Sequence, residues 1–156
     1  MVSASIELPQ GSWWDWDVVS CNAGELRLGA GLDLAYHHGL ELVFPDPVLV
    51  RCPTAFQDPV FRAPRPDEVL AVTRQFGEAP QLLVAFEADA GGAEPVTCLI
   101  AAGSVEVVRG TVFRYWRDDL EPGQRLAPWV LPPDRQQPRH RHDEARPDES
   151  SGRASV

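Results

Sequence analysis

From Leu26 onward, apolar side chains fall on alternate positions: Leu26, Leu28, Ala30, Leu32, Leu34, Tyr36, His38, Leu40, Leu42 and Phe44. The intervening set, Arg27, Gly29, Gly31, Asp33, Ala35, His37, Gly39, Glu41 and Val43, is mostly small or polar. A period of two sends successive side chains to opposite faces, so the stretch predicts β structure with one apolar face. Gly29-Ala30-Gly31 is expected to turn or bulge the chain, giving a short strand and a longer one over 32–44. Phe44-Pro45-Asp46-Pro47 cannot continue a strand, and 48–52 is expected to return as its hairpin partner.

The period then changes. Residues 53–66 carry four prolines and predict an irregular loop pinned by Phe56 and Phe61. Val69, Val72, Thr73 and Phe76 follow at i, i+3, i+4 and i+7, the spacing of a helix with one apolar face. Asp67 and Glu68 suit its first turn, and Gly77 supplies the stop. Residues 81–89, a Gly91-Gly92 turn and residues 96–102 predict a hairpin. A last strand runs from about 105 to 116, with Gly110 as a bulge. At least six strands and one helix imply a mostly β (α+β) single domain. Its antiparallel sheet is rolled or packed as a small barrel or sandwich, with the helix over one opening.

Composition sets the limits of that domain. Residues 134–156 contain no Leu, Ile, Phe, Trp or Tyr, so they cannot repay the entropy of ordering. We expect a globular domain over 1–133 and a disordered polar tail over 134–156. The chain has 14 basic residues, all arginine, against 23 acids, for a net charge of −9. The tail holds five of each sign, so the whole negative charge lies on 1–133. An acidic domain does not hold a polyanion by counterion release, which argues against nucleic acid and anionic membranes as partners. Without lysine there is no Schiff-base or lysine general-base chemistry. The lack of lysine and the scarcity of Ile and Asn fit a GC-rich bacterial genome. Three cysteines without paired spacing, and no secretory signal, read as reduced thiols in the cytoplasm.

No phosphate-binding glycine loop, C-x-x-C, H-E-x-x-H or nucleophile elbow is present, and no motif implies a cofactor. The adjacent His37 and His38 suggest a metal site, but on one strand they point to opposite faces. Asp33, His37 and Glu41 share a face at steps of about 13 Å, too far to hold one ion. No metal is therefore expected. His38 reads as a core histidine bonded to a carbonyl or carboxylate, and His37 as a surface residue. In an enzyme, either would be the acid–base group with Asp33 as its partner.

Two aromatic segments lie among carboxylates. In Trp13-Trp14-Asp15-Trp16-Asp17, alternation puts Trp14 and Trp16 in the core and Trp13 outside beside Asp15 and Asp17. Tyr115-Trp116-Arg117-Asp118-Asp119 forms an acidic turn beside aromatics, with Trp129 further on. Stacking and charge together suit a partner that bears Arg or Lys. The sequence thus points to a small cytoplasmic protein-binding module that engages a basic protein, with immunity and antitoxin proteins as one instance of that class. Its expected contact residues are Trp13, Asp15, Asp17, Asp33, His37, Glu41, Asp118 and Asp119. The alternative is a barrel with a small-molecule pocket lined by Trp16, Tyr36, His38 and Phe86, with or without hydrolase- or isomerase-type catalysis by His37 or His38.

Overall fold

The computed structural model describes residues 2, 3 and 5–135. The expected tail lies outside the described residues from 136 onward. The elements, in chain order, are β1 (Val2–Ser3), β2 (Asp15–Cys21), β3 (Glu25–Gly31), β4 (His37–Pro45), β5 (Leu49–Arg51) and β6 (Ala55–Arg62). Then come α1 (Pro66–Phe76), β7 (Leu82–Asp89), β8 (Val96–Ala102), β9 (Glu106–Phe113), β10 (Arg125–Leu126) and a 3₁₀ turn (Pro133–Arg135). The protein is mostly β with one α-helix. All strands belong to one sheet, in the order β10-β9-β4-β3-β2-β6-β7-β8-β5, with β1 beside β7 off that path. The ladder does not close into a ring.

The sheet is nevertheless rolled. Its concave face gathers Trp16, Leu28, Leu42, Phe44, Phe56, Val84, Phe86 and Ile100 from six strands into one core with almost no exposure. Among the described residues the two halves of that face cover one another, with Ile6, Leu8 and Trp13 of the segment before β2 packed against them. The turn after β4 holds the roll: the Gly103 amide donates to the Pro45 carbonyl at 3.0 Å, and the Asp46 amide donates to Gly24 O at 2.9 Å. On the convex face, α1 packs its buried Val72 against Leu83, Ala85, Leu99 and Ala101. Both faces of β7 and β8 are therefore buried, which is why their sequences read as nearly continuous apolar runs.

Helix α1 follows its sequence signals closely. Its N3 residue Glu68 accepts the Arg65 amide at 2.8 Å, and Gly77 closes it in the left-handed conformation at φ 79°. Glu68 also receives both Arg62 terminal nitrogens at 2.9 and 2.7 Å, while Arg62 reaches Glu87 on β7 at 2.8 Å. That guanidinium fastens the start of the helix to the sheet.

Three expectations about the strands need correction. Segment 48–52 does not pair with β4. Asp46 adopts φ 49° and swings the chain across to the free edge of β8, where Leu49 pairs with Ala101. Residues 53–66 are not a loop but contain β6, a strand inside the sheet. Pro59 is tolerated because it falls in the irregularity between Gln57 and Val60, next to Asp58 at φ 47°. The turn expected at Gly29–Gly31 comes later, over 32–36. β3 runs straight through both glycines, and the Asp33 carboxylate accepts the Ala35 amide at 2.9 Å to shape the turn.

Candidate functional site

The convex face of β2, β3 and β4 is covered by the segment after β9, and the contact between them is polar. Asp17, Gly29 and Glu41 lie side by side on neighbouring strands. Gly29 has no side chain, and that gap admits Arg114 and His38. A β-carbon there would meet Val19 at 2.8 Å and both Arg114 and His38 at 3.2 Å. Arg114 grips Asp17 with two hydrogen bonds, 2.5 and 2.7 Å. It also donates to His38 Nδ1 at 3.1 Å. His38 Nε2 is 2.8 Å from Glu41 Oε1, and Arg27 and Arg125 donate to Glu41 Oε2. Trp129 stacks on the Arg114 guanidinium at 5.3 Å.

Donor and acceptor logic fixes the imidazole. A guanidinium only donates, so Nδ1 presents its lone pair and Nε2 carries the hydrogen given to Glu41. His38 is 0% exposed and Glu41 1%. Both ring nitrogens are engaged and neither meets solvent, so His38 has no atom free to exchange a proton with a substrate. Burial pushes the Glu41 carboxyl up, but the bonds from His38, Arg27 and Arg125 together outweigh it and hold it at about 2. At Glu68 the Arg62 hydrogen bonds dominate, and that carboxyl also lies at about 2.

Both groups lie below their ordinary value of 4.5, so they contribute stability above that pH and lose it as pH falls toward 2. The urea midpoint is expected to hold from pH 7 to 5 and then decline steadily between 4.5 and 2. Glu68→Gln should flatten part of that decline. An unchanged midpoint down to pH 3 would contradict the assignment.

Only some of the residues singled out from the sequence converge. Asp17, His38 and Glu41 meet in this network, although alternation had separated His38 from Glu41. The reason is a break in β4 at Gly39, where the register against β9 shifts between His38 and Leu40. Gly110, at φ 140°, sits on the opposing strand. His38 thereby lands on the face of Glu41, while Leu40 stays in the core. His37 stays at the surface, its ring 6.2 Å from that of Phe113. Asp33 is exposed, shapes the 32–36 turn and forms no hydrogen bond or ion pair with either histidine.

The tryptophans are also redistributed. Trp16 is core as expected, but Trp14 is exposed and Trp13 is packed, with its Nε1 donating to Pro9 O at 2.8 Å. Both precede β2, so strand alternation does not govern them. Asp15 accepts bonds from the Leu34 amide at 3.3 Å and from Gln57 at 3.4 Å, which ties down the 32–36 turn. Trp16, Tyr36, His38 and Phe86 do not line a common pocket. Trp16 and Phe86 face the core, His38 faces the convex side, and Tyr36 is 67% exposed.

A second feature lies just outside the network. Tyr36 meets Tyr115 edge-on at 6.2 Å, and Tyr115 meets Phe113 at 5.7 Å. Tyr115, Trp116, Trp129 and Leu131 line an open groove of about 340 Å³ with Arg114 at its floor. All four of these apolar side chains are exposed. Asp33, Asp118 and Glu121 are exposed in the flanking turns, while Asp119 is held by Arg117 at 2.8 Å. Sequence reasoning missed Arg27, Arg114 and Arg125. A usable signal was present: an arginine between Phe113 and Tyr115 needs a buried acceptor, and paired glycines within a strand mark a close approach.

Among the described residues, no three His, Cys, Asp or Glu side chains converge as a metal site. No helix among them is long and apolar enough to cross a membrane. Comparison with family models, curated proteins and solved structures finds no match to this chain.

Proposed function

We propose that this chain is a non-catalytic protein-binding module that engages a basic partner through the aromatic groove and its acidic rim. The observation that carries the proposal is the gathering of exposed Tyr36, Tyr115, Trp116 and Trp129 at one end of the sheet. Contiguous exposed aromatics are uncommon on a monomer surface and are the residue type most enriched at binding hot spots. Charge complementarity supplies the sign of the partner. Arg114, Arg117 and Arg125 are held by Asp17, Asp119 and Glu41, while Asp33, Asp118 and Glu121 form no ion pair among the described residues. The rings already show the required mode: Arg117 lies over Phe113 at 4.3 Å and Arg114 over Trp129.

Of the contacts expected from sequence, this surface keeps Asp33, His37 and Asp118. It leaves out Trp13, Asp15, Asp17 and Glu41, which are engaged inside the molecule, and Asp119, which is paired. Negative charge is not confined to this face; Asp46, Glu78, Asp89 and Glu94 are exposed elsewhere. The aromatic cluster therefore carries the choice of face. Inhibition of a basic enzyme, in the manner of an immunity protein or antitoxin, is the finer form of the proposal.

Capture from the native lysate on immobilised protein tests it, with Tyr115→Ala/Trp116→Ala and Asp33→Arg/Asp118→Arg as comparisons. We expect a polypeptide of high pI, released by salt and lost with both variants. Equal retention of the same partner by the wild type and both variants would sink the proposal.

A further inference from the structure

The opposite end of β4 carries a different concavity. The turn after β4, the last turn of α1 and the loop leading into β7 enclose a groove of about 370 Å³. Its walls include Val48, Val72, Phe76 and Gln81, and its charged groups are Asp46 and Glu78. Val48 and Phe76 are exposed to the groove's solvent although they are large apolar side chains. No arginine lines it, and neither carboxylate forms an ion pair among the described residues. Arg74, in the same helical turn, lies about 200° around the helix from both Val72 and Phe76, so it points away.

Three sources of negative potential meet here: Asp46, Glu78 and the C-terminal end of α1. The groove is also pre-shaped. Asp46 holds a left-handed backbone at φ 49°, fixed by its amide bond to Gly24 O, and the Val48 amide donates to Ala101 O at 2.8 Å. Gln81 Oε1 lies beside Gly103 and adds a neutral acceptor. An anion meets two carboxylates and no cationic side chain here, the Gln81 amide being the one neutral donor, and a purely apolar ligand would strip water from both carboxylates without replacing it. A cation on a hydrocarbon stem satisfies both requirements.

We infer that this groove is a binding site for a small organic ammonium ion with an apolar stem. The ammonium sits between Asp46 and Glu78, and the stem lies against Val48 and Phe76. The site is distinct from the aromatic groove: β4 has nine residues, so its two ends are about 26 Å apart. The inference therefore stands or falls independently of the partner reading.

The test is an amide-resolved NMR titration of the full chain into the millimolar range with 2-phenylethylamine as the probe. The matched 2-phenylethanol and phenylacetate serve as neutral and anionic comparisons. We expect saturable shifts for the amine at the amides of Asp46, Val48, 76–78 and Gly103, with binding at least tenfold weaker for the alcohol and none for the acid. Asp46→Asn/Glu78→Gln should weaken amine binding at least tenfold. Both positions are exposed, so folding is retained, and Asp89→Asn should leave binding unchanged. Raising the salt concentration should weaken the amine but not the alcohol. Equal binding of amine and alcohol, unchanged affinity in the double variant, or shifts confined to Trp116 and Trp129 would each overturn the inference.

Discussion

Glu41→Ala is expected to lower the unfolding free energy by about 3 kcal/mol, measured by urea denaturation at pH 7. The carboxylate accepts bonds from His38, Arg27 and Arg125 at a position 1% exposed. Its removal does not strand all three donors equally. Arg27 and Arg125 are 24% and 45% exposed and can recover water, so their share is discounted. His38 is sealed, and its Nε2 hydrogen is left without an acceptor. Glu41→Gln, which keeps an acceptor oxygen and loses the charge, should cost less. A loss below 1 kcal/mol in the alanine variant would mean that water enters the network and the face is not closed.

The second large effect lies in the core. Trp16→Ala should cost about 3–5 kcal/mol, the range for truncating a buried aromatic. Trp16 is opposite both Ala30 and Phe56, stacks on Phe56 at 6.0 Å and meets Phe61 edge-on at 5.9 Å. Its Nε1 donates to Trp13 O at 2.6 Å, which ties the segment before β2 to the core. Trp16→Phe keeps most of the apolar volume and should lose about 1–2 kcal/mol, mainly through that bond. If alanine and phenylalanine proved equally costly, the hydrogen bond and not the packing would dominate.

The two substitutions probe opposite faces of the same sheet, and the faces differ in how legible they were. Trp16, Leu28 and Leu42 follow alternation, because a half-buried strand repeats every two residues, while Phe86 and Ile100 stand in the continuous apolar runs of strands buried on both faces. The helix was equally plain, from Asp67 and Glu68 at its start to Gly77 at its end. The network was not legible. Asp17, the His38–Glu41 pair and Arg114 come from three separate places in the chain, and a local break at Gly39 reverses the face on which His38 lies. No period can report a one-residue slip, although every side chain beyond it changes sides. Trp13 and Trp14 fail for a related reason: alternation has meaning only inside a strand, and β2 begins after them.

By itself, the sequence determined that this is a mostly β domain with one helix, net charge −9, no lysine chemistry and a polar segment beyond about residue 133. These follow from composition and from periods carried by neighbouring residues. Only the tertiary structure decided which arginines are consumed by buried acids, which aromatics remain at the surface, and that β5 joins β8 instead of β4. Those outcomes depend on contacts between residues dozens of positions apart, fixed by the roll of the sheet and by Asp46, Gly39 and Gly110, where the backbone leaves its regular path.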